Sequence, residues 1–226
     1  MAEPSTRTVE RALALLATVC DRSGANLADA ARECDLAPST ALRLLRTLET
    51  TGFVSKDEFG MYRPGSRIIQ LGAQTLSNES LIDLARAAME ELSTETGESV
   101  YLSVEGHAAT ALYIGIVEGT HSVRHASWVG RTVPLDTSAA GHALRGKIPD
   151  DGYVVVERGV ETDVTAIACP VYSQARIVAA LSLVIPSYRL TASQAKRYGR
   201  MLVTATADVS ARLSSSPKPS LPQGQS

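Results

Sequence analysis

One stretch constrains this chain more than any other, LADAARECDLAPSTALRLLRTLETTGFV over residues 27–54. Leu27, Ala30, Ala31 and Cys34 recur at helical spacing and predict a short helix. Asp35-Leu36-Ala37-Pro38 breaks it tightly. A second helix is expected to start at Ser39 or Thr40 and to stop at Gly52, with Ala41, Leu42, Leu44, Leu45 and Leu48 turned inward. Two short helices joined by a few residues, the second of them amphipathic, form a helix-turn-helix. A helix from about Thr8 to Cys20 precedes it, with Val9, Ala12, Leu13, Leu15, Leu16 and Val19 as its apolar residues. Phe53-Val54-Ser55 and Met61-Tyr62-Arg63 follow as two short strands around a polar turn, Lys56 to Gly60. Three helices and a hairpin make a winged helix-turn-helix.

Bulk charge gives such a unit no hold on DNA. The 226 residues include 22 Lys+Arg and 24 Asp+Glu, a net charge of -2, and residues 1–75 hold nine of each sign. A DNA-binding reading therefore rests on where the charges sit. Ser39 and Thr40, at a helix N-terminus, suit phosphate. Arg43 and Arg46 are three apart on the outer face, with Thr47 beside them, and either arginine can fork to guanine. Arg7 and Arg11 on the first helix, and Lys56 and Arg63 in the wing, are candidate phosphate contacts. On an isolated helix such arginines are ordinary solvent-facing charges; the helix-turn-helix context decides for Arg43 and Arg46. Near-neutral charge implies weak non-specific affinity, because that affinity comes from counterion release. Two copies on one roughly palindromic duplex site would compensate, so a homodimer at least is expected.

Beyond this unit, helices are expected over Ser66–Leu76 and Leu81–Thr96, the latter as a linker. SVYLSVEG, ATALYIGIVEG and SVRHASWVG then read as strands of an antiparallel meander. SAAGHALRG, from Ser138, is a short helix of small residues. YVVVERG, DVTAIACPVYS and RIVAALSLVIP are three more strands, and a last helix runs from about Thr191 to Leu213. The partition is 1–76 for DNA binding, 77–97 for the linker helix, 98–213 for a second domain and 214–226 for a disordered tail. With 4% aromatic residues, the core is built from Leu, Val, Ile and Ala.

Several chemistries lack their residues. Cys20, Cys34 and Cys169 form no CxxC and no metal spacing, which fits a reducing compartment. His121 and His125 share one side of a predicted strand with no carboxylate expected nearby. There is no GxSxG, Walker loop or HExxH. No enzyme, cofactor or metal is read. No leader and no run of ~18–20 apolar residues is present, so a cytoplasmic, nucleoid-associated protein with no membrane contact is expected.

Five fragments, in order over residues 6–213, resemble the IclR-type bacterial transcriptional regulators: TVERALALLA, LAPSTALRLLRTLETTGFV, GMYRPGSRIIQLG, VGRTVPLDTSAAGHAL and AIACPVYSQARIVAALSLVIP. The resemblance implies an α+β protein. Its N-terminal winged helix-turn-helix would be joined by a linker helix to a GAF/profilin-like effector domain with an antiparallel sheet. It implies a homodimer or dimer of dimers whose operator binding is modulated by a small-molecule metabolite, with repression favoured over activation. By the family's pattern, Leu135, Ala139, Ala140, Glu157, Ala166, Ser182 and Val184 would surround that effector. The sequence departs from the family in three places. ALRGKIP runs almost directly into DDGYVVV, where relatives carry a helical insert. His142 replaces a lysine, and the S-x-S pair of small-acid binders is Ser182 and Val184. The effector then reads as moderately apolar, an aromatic or branched acid. Two other readings stay open: a sensor using its helix-turn-helix for protein contacts, and a GAF-like small-molecule enzyme.

Overall fold

The computed structural model describes residues 6–77, 80–122 and 128–215. The chain forms two compact units, Met1–Asn78 and Glu79–Ser226. In the first, α1 (Arg7–Asp21), α2 (Leu27–Glu33) and α3 (Pro38–Thr50) precede a hairpin of β1 (Val54–Lys56) and β2 (Tyr62–Pro64), and α4 (Ser66–Ser77) closes the unit. Asn26 caps α2 by accepting from the Asp29 amide at 2.8 Å. Pro38 opens α3, because its fixed φ suits a first helical turn that needs no donor there. The helix therefore begins before Ser39. Leu15, Val19, Ala30, Ala31, Leu44, Leu45 and Leu48 pack with Val54 and Tyr62 into one core. A Cβ on Gly65 would lie 2.1 Å from the Gly52 carbonyl oxygen, so only glycine lets the end of the wing approach the end of α3.

Three apolar residues expected inward are not buried. Val9 and Leu13 are 55% and 58% exposed on α1. Leu42 is only half-buried and lies on the outer side of α3. Each helix of a three-helix unit buries one stripe, and apolar residues beyond that stripe remain outside.

The second unit begins with α5 (Ser80–Thr96), β3 (Ser99–Glu105), β4 (Thr110–Val117) and β5 (Thr132–Pro134). It continues with α6 (Ala139–Leu144), β6 (Val154–Glu157), β7 (Val164–Ser173), β8 (Arg176–Pro186), a single 3-10 turn (Ser187–Arg189) and α7 (Ala192–Ser215). The strands form a six-stranded sheet in the order β5-β4-β3-β8-β7-β6. Every neighbouring pair is antiparallel. Period-two alternation divides its side chains. Val100, Leu102, Ile167, Cys169, Leu181, Leu183 and Ile185 pack with residues of α5 and α7. Tyr101, Ala168, Ala180 and Val184 belong to the clusters that hold α6. Covered on both faces, β7 and β8 read in sequence as nearly continuous apolar runs.

The expected linker helix is α5, and Leu81, Ala85, Ala88, Met89 and Leu92 bury it in the second core. The strand expected across SVRHASWVG falls largely on residues 123–127, which lie outside the described residues, and β5, which follows it in the chain, forms one edge of the sheet. Ser214 and Ser215, assigned to the tail, complete α7, while 216–226 lie outside the described residues. No helix among the described residues is long and apolar enough to cross a membrane.

Candidate DNA-contacting surface and ligand cleft

On α3, Ser39, Leu42, Arg43, Arg46, Thr47 and Thr50 line one shallow concave surface. Arg43 and Arg46 are exposed, as is Ser39, whereas Thr40 is half-buried. The Thr47 hydroxyl donates to the Arg43 carbonyl at 3.1 Å and that of Thr50 to the Arg46 carbonyl at 2.8 Å. These back-bonds fix the threonine rotamers beside the two arginines. All the lining side chains are neutral or cationic.

The wing is tied by one carboxylate. Asp57 Oδ1 accepts from the amides of Met61 at 2.9 Å and Phe59 at 3.0 Å, and Oδ2 from Arg63 Nε at 2.9 Å. The Met61 bond, with help from Arg63 and Phe59, holds the Asp57 carboxyl below the usual carboxylate range. Arg63 Nη1 also donates to the Ser23 carbonyl at 3.2 Å. Arg63, expected to hold phosphate, braces the wing through these bonds and keeps a half-exposed side chain. Lys56 is exposed, with Nζ 5.4 Å from the Tyr62 ring centroid. Arg7 and Arg11 are exposed on α1. Phe59, which sequence reasoning did not single out, stands 83% exposed at the wing tip.

In the second unit a cleft of about 450 Å³ of atom-free space, counting its mouth, opens beside α6. Ala139, Ala140, Ala166, Ser182 and Val184 line it, as the family pattern implies. Leu135 does not: it is 1% exposed and packs against α6, where a Cβ on Gly141 would lie 2.3 Å from its Cα. Glu157 does not either. Strand alternation puts Val156 in the cleft and leaves Glu157 exposed, so the pattern was one residue out of register. The cleft's carboxylate comes instead from Glu161, in the loop between β6 and β7.

Tyr113 and Trp128 also line the cleft and were not anticipated. Their rings are 6.4 Å apart, and Tyr113 packs against buried Tyr101 in a tilted arrangement with centroids 4.7 Å apart. The alternation of Ala111 and Tyr113 along ATALYIGIV was the available signal. Burial, then the charge of Glu161, pushes the Tyr113 phenol up to about 12. Burial and its neighbour Tyr113 raise that of Tyr101 further. Ser138 is used structurally: its hydroxyl accepts from the Gly141 amide at 3.0 Å and donates to the Pro134 carbonyl at 2.6 Å. Ser182 is different. Its hydroxyl is buried, lines the cleft and has no hydrogen-bond partner among the described residues. His142 Nε2 lies 2.7 Å from the Asp136 carbonyl oxygen and does not line the cleft.

Among the described residues, no three of His, Cys, Asp and Glu come together as a metal site. His121 does have a carboxylate nearby, contrary to the sequence reading, with Nε2 3.6 Å from Glu98 Oε1. Cys169 is a core thiol, 3.0 Å from Thr206 Oγ1, and burial raises its pKa.

A winged helix-turn-helix carried on the same chain as a sheet domain with a lateral cleft defines the two-unit bacterial transcriptional regulators. The family model described as "IclR helix-turn-helix domain" matches residues 8–58. That described as "Bacterial transcriptional regulator IclR C-terminal" matches residues 73–151 and 146–211. The chain belongs to the IclR family of transcriptional regulators. The HTH-type transcriptional repressor AllR of Escherichia coli K12 is 25% identical over 252 residues, covering 94% of this chain and 92% of that protein. The HTH-type transcriptional regulator KdgR of the same organism is 24% identical over 246 residues, covering 92% and 93%. Among solved structures, an IclR-type regulator from Silicibacter superposes with a TM-score of 0.78 at 20% identity, over 96% of this chain and all of that one. An IclR homologue from Microbacterium hydrocarbonoxydans, complexed with 4-hydroxybenzoate, does so at 0.78 and 22% identity, over 92% of this chain and all of that one.

Proposed function

We propose that this chain is a repressor whose hold on its operator is set by a small-molecule effector in the α6 cleft. The observation that carries the ligand half is the Ser182 hydroxyl: a buried polar group without a partner is costly, and a ligand bound in the cleft would satisfy it. The name of AllR favours repression, and the 4-hydroxybenzoate bound to the Microbacterium homologue supports an effector of metabolite size. Ala139, Ala140, Ala166 and Val184 form its apolar wall. A ligand that binds one DNA-binding state better than the other shifts operator affinity, and operator shifts ligand affinity by the same factor.

On the DNA side, Arg43 and Arg46 read base edges from the major groove, with Ser39 and Thr47 beside them. Lys56, Arg7 and Arg11 serve the backbone, and Arg63 keeps the wing in shape. The DNA-contacting groups lie within residues 1–76. Residues 77–97 contain α5, which packs with the effector domain of 98–213. The chain acts as a homodimer or a dimer of dimers on a roughly palindromic site in the cytoplasm. The outward pair Val9 and Leu13, with Ile69 at 71% exposure on α4, supports self-association through the DNA-binding unit. Selection of bound sequences from random duplex DNA, repeated with Arg43→Ala, tests this. A two-fold symmetric motif whose specificity falls in the variant is expected. Enrichment unchanged by Arg43→Ala would remove α3 as the reading element.

A further inference from the structure

We infer that Phe59 is an apolar wedge that enters the minor groove beside the bases read by α3 and opens a base step there. This rests on α3 being the DNA-reading element. Of the chain's two phenylalanines, Phe53 packs against the core of the first unit. Phe59 is 83% exposed, the highest value of any large apolar side chain among the described residues. Its backbone is held in place. The Phe59 amide donates to Asp57 Oδ1, the Gly60 amide to the Asp57 carbonyl at 3.0 Å, and the Asp57 amide to the Met61 carbonyl at 2.9 Å. Gly60 turns the tip at a φ of +80°, where glycine is favoured. A tip fixed in this way loses little backbone freedom on binding.

The base of the wing is fastened to the end of α3. The Gly65 amide donates to the Phe53 carbonyl at 2.9 Å, and the Arg67 amide to the Gly52 carbonyl at 3.1 Å. From Val54 to Phe59 the chain reaches about 17 Å, at ~3.3 Å per residue. Half a turn of duplex, the step from a major groove to the adjacent minor groove, is also about 17 Å. The charges of the tip do not suit phosphate: Glu58 is exposed and anionic, and Asp57 and Arg63 answer each other. What the tip offers DNA is apolar surface, and an apolar side chain pushed between base pairs unstacks them. A protein partner needs about 800 Å² from each side, and the neighbours of Phe59 are Asp57, Glu58, Gly60 and a half-buried Met61, which make no apolar patch. A wedge needs one side chain.

The test is selection from random duplex DNA with the full chain, with Phe59→Ala and with Arg43→Ala. The intact chain is expected to enrich a pyrimidine–purine step, the kind most easily unstacked, about half a turn from the bases that Arg43→Ala relaxes. Phe59→Ala should keep those bases, lose the flanking step, and bind the selected duplex roughly fivefold or more weakly, with an unchanged melting temperature. With 2-aminopurine placed in that step, fluorescence should rise on binding the intact chain or Phe59→Leu, and not on binding Phe59→Ala. No flanking preference, a preference that survives Phe59→Ala, or no rise with the intact chain overturns the wedge while leaving α3 as the reading element. A Phe59→Ala chain that changes oligomeric mass in ultracentrifugation and keeps the flanking step gives Phe59 to a protein contact instead. No enrichment by the intact chain, or enrichment indifferent to Arg43→Ala, removes the α3 reading and the wedge with it.

Discussion

Arg189 grips Glu98 with two parallel hydrogen bonds, Nε to Oε1 at 2.7 Å and Nη2 to Oε2 at 2.8 Å. Glu98 is 2% exposed where α5 gives way to β3, and Arg189 ends the 3-10 turn after β8. The pair therefore ties two segments 91 residues apart at one end of the sheet. Arg189→Ala leaves a buried carboxylate without its main partner, which costs about 3–5 kcal/mol. Urea denaturation should show that loss, and Glu98→Gln added to Arg189→Ala should recover part of it. A loss under about 1 kcal/mol, the size of an exposed pair, would mean that water reaches Glu98.

Gly141→Ala puts a methyl against the backbone of Leu135, with contacts of 2.3–2.5 Å. The neighbour is backbone and cannot step aside as a side chain can. Overpacking of this kind costs about 1–3 kcal/mol, and α6 should move off the sheet. A lowered melting temperature with loss of ligand response is the expected result. An unchanged protein would show that α6 is not seated as closely as described.

Ser182→Ala should do the opposite in the absence of ligand. It removes a buried hydroxyl that has no partner among the described residues, and stability should rise by about 1 kcal/mol. Denaturation of the free chain checks this. A loss of stability would reveal a structural bond made by Ser182.

These positions show what could be read before the fold was known. The three helices and wing were legible because helical spacing, Pro38 and the glycines at turns all act locally. The strands β7 and β8 were legible as apolar runs, but not their faces, since a strand buried on both sides shows no alternation in composition. A single register step separated the expected Glu157 from Val156, and only the pairing of Val156 with Ala166 fixes it. Glu161 and Trp128 reach the cleft from outside the regular strands, where no periodicity marks them. Leu42, Val9 and Leu13 matched a helical pattern whose width exceeded the face available for burial.

DNA affinity separates the cationic residues by role. Arg43→Ala should cost ~1–3 kcal/mol on the preferred site and relax base choice at one position. Lys56→Ala should weaken all sequences alike and reduce the salt slope by about one. Arg63→Ala, by contrast, acts on the Asp57-centred wing, so its effect should be small at the level of salt slope. Anisotropy titrations at several salt concentrations distinguish the three. A full unit of slope lost in Arg63→Ala would mean that it does meet phosphate.

Tyr113 supplies a pH prediction. Its folded-state pKa is raised to about 12 from an ordinary value near 10. The native chain therefore holds its proton where the unfolded chain releases it. The associated stability is fully present below pH ~10 and is lost as pH rises toward ~12. Phenolate absorbance should show Tyr113 and Tyr101 titrating after the exposed tyrosines, with the stability loss in the same window. Simultaneous titration of all seven tyrosines in a chain still folded would contradict it.

β8 serves two masters by parity. Its odd residues, Leu181, Leu183 and Ile185, are in the core with α5 and α7, and its even residues Ser182 and Val184 face the cleft. One short run of sequence thus carries a row that keeps the fold and a row that lines the cleft, interleaved but on opposite sides. Substitutions in the even row change the wall of the cleft while the row that packs under α5 and α7 is left alone, so the surface offered to a ligand and the stability of the scaffold are separable along a single strand.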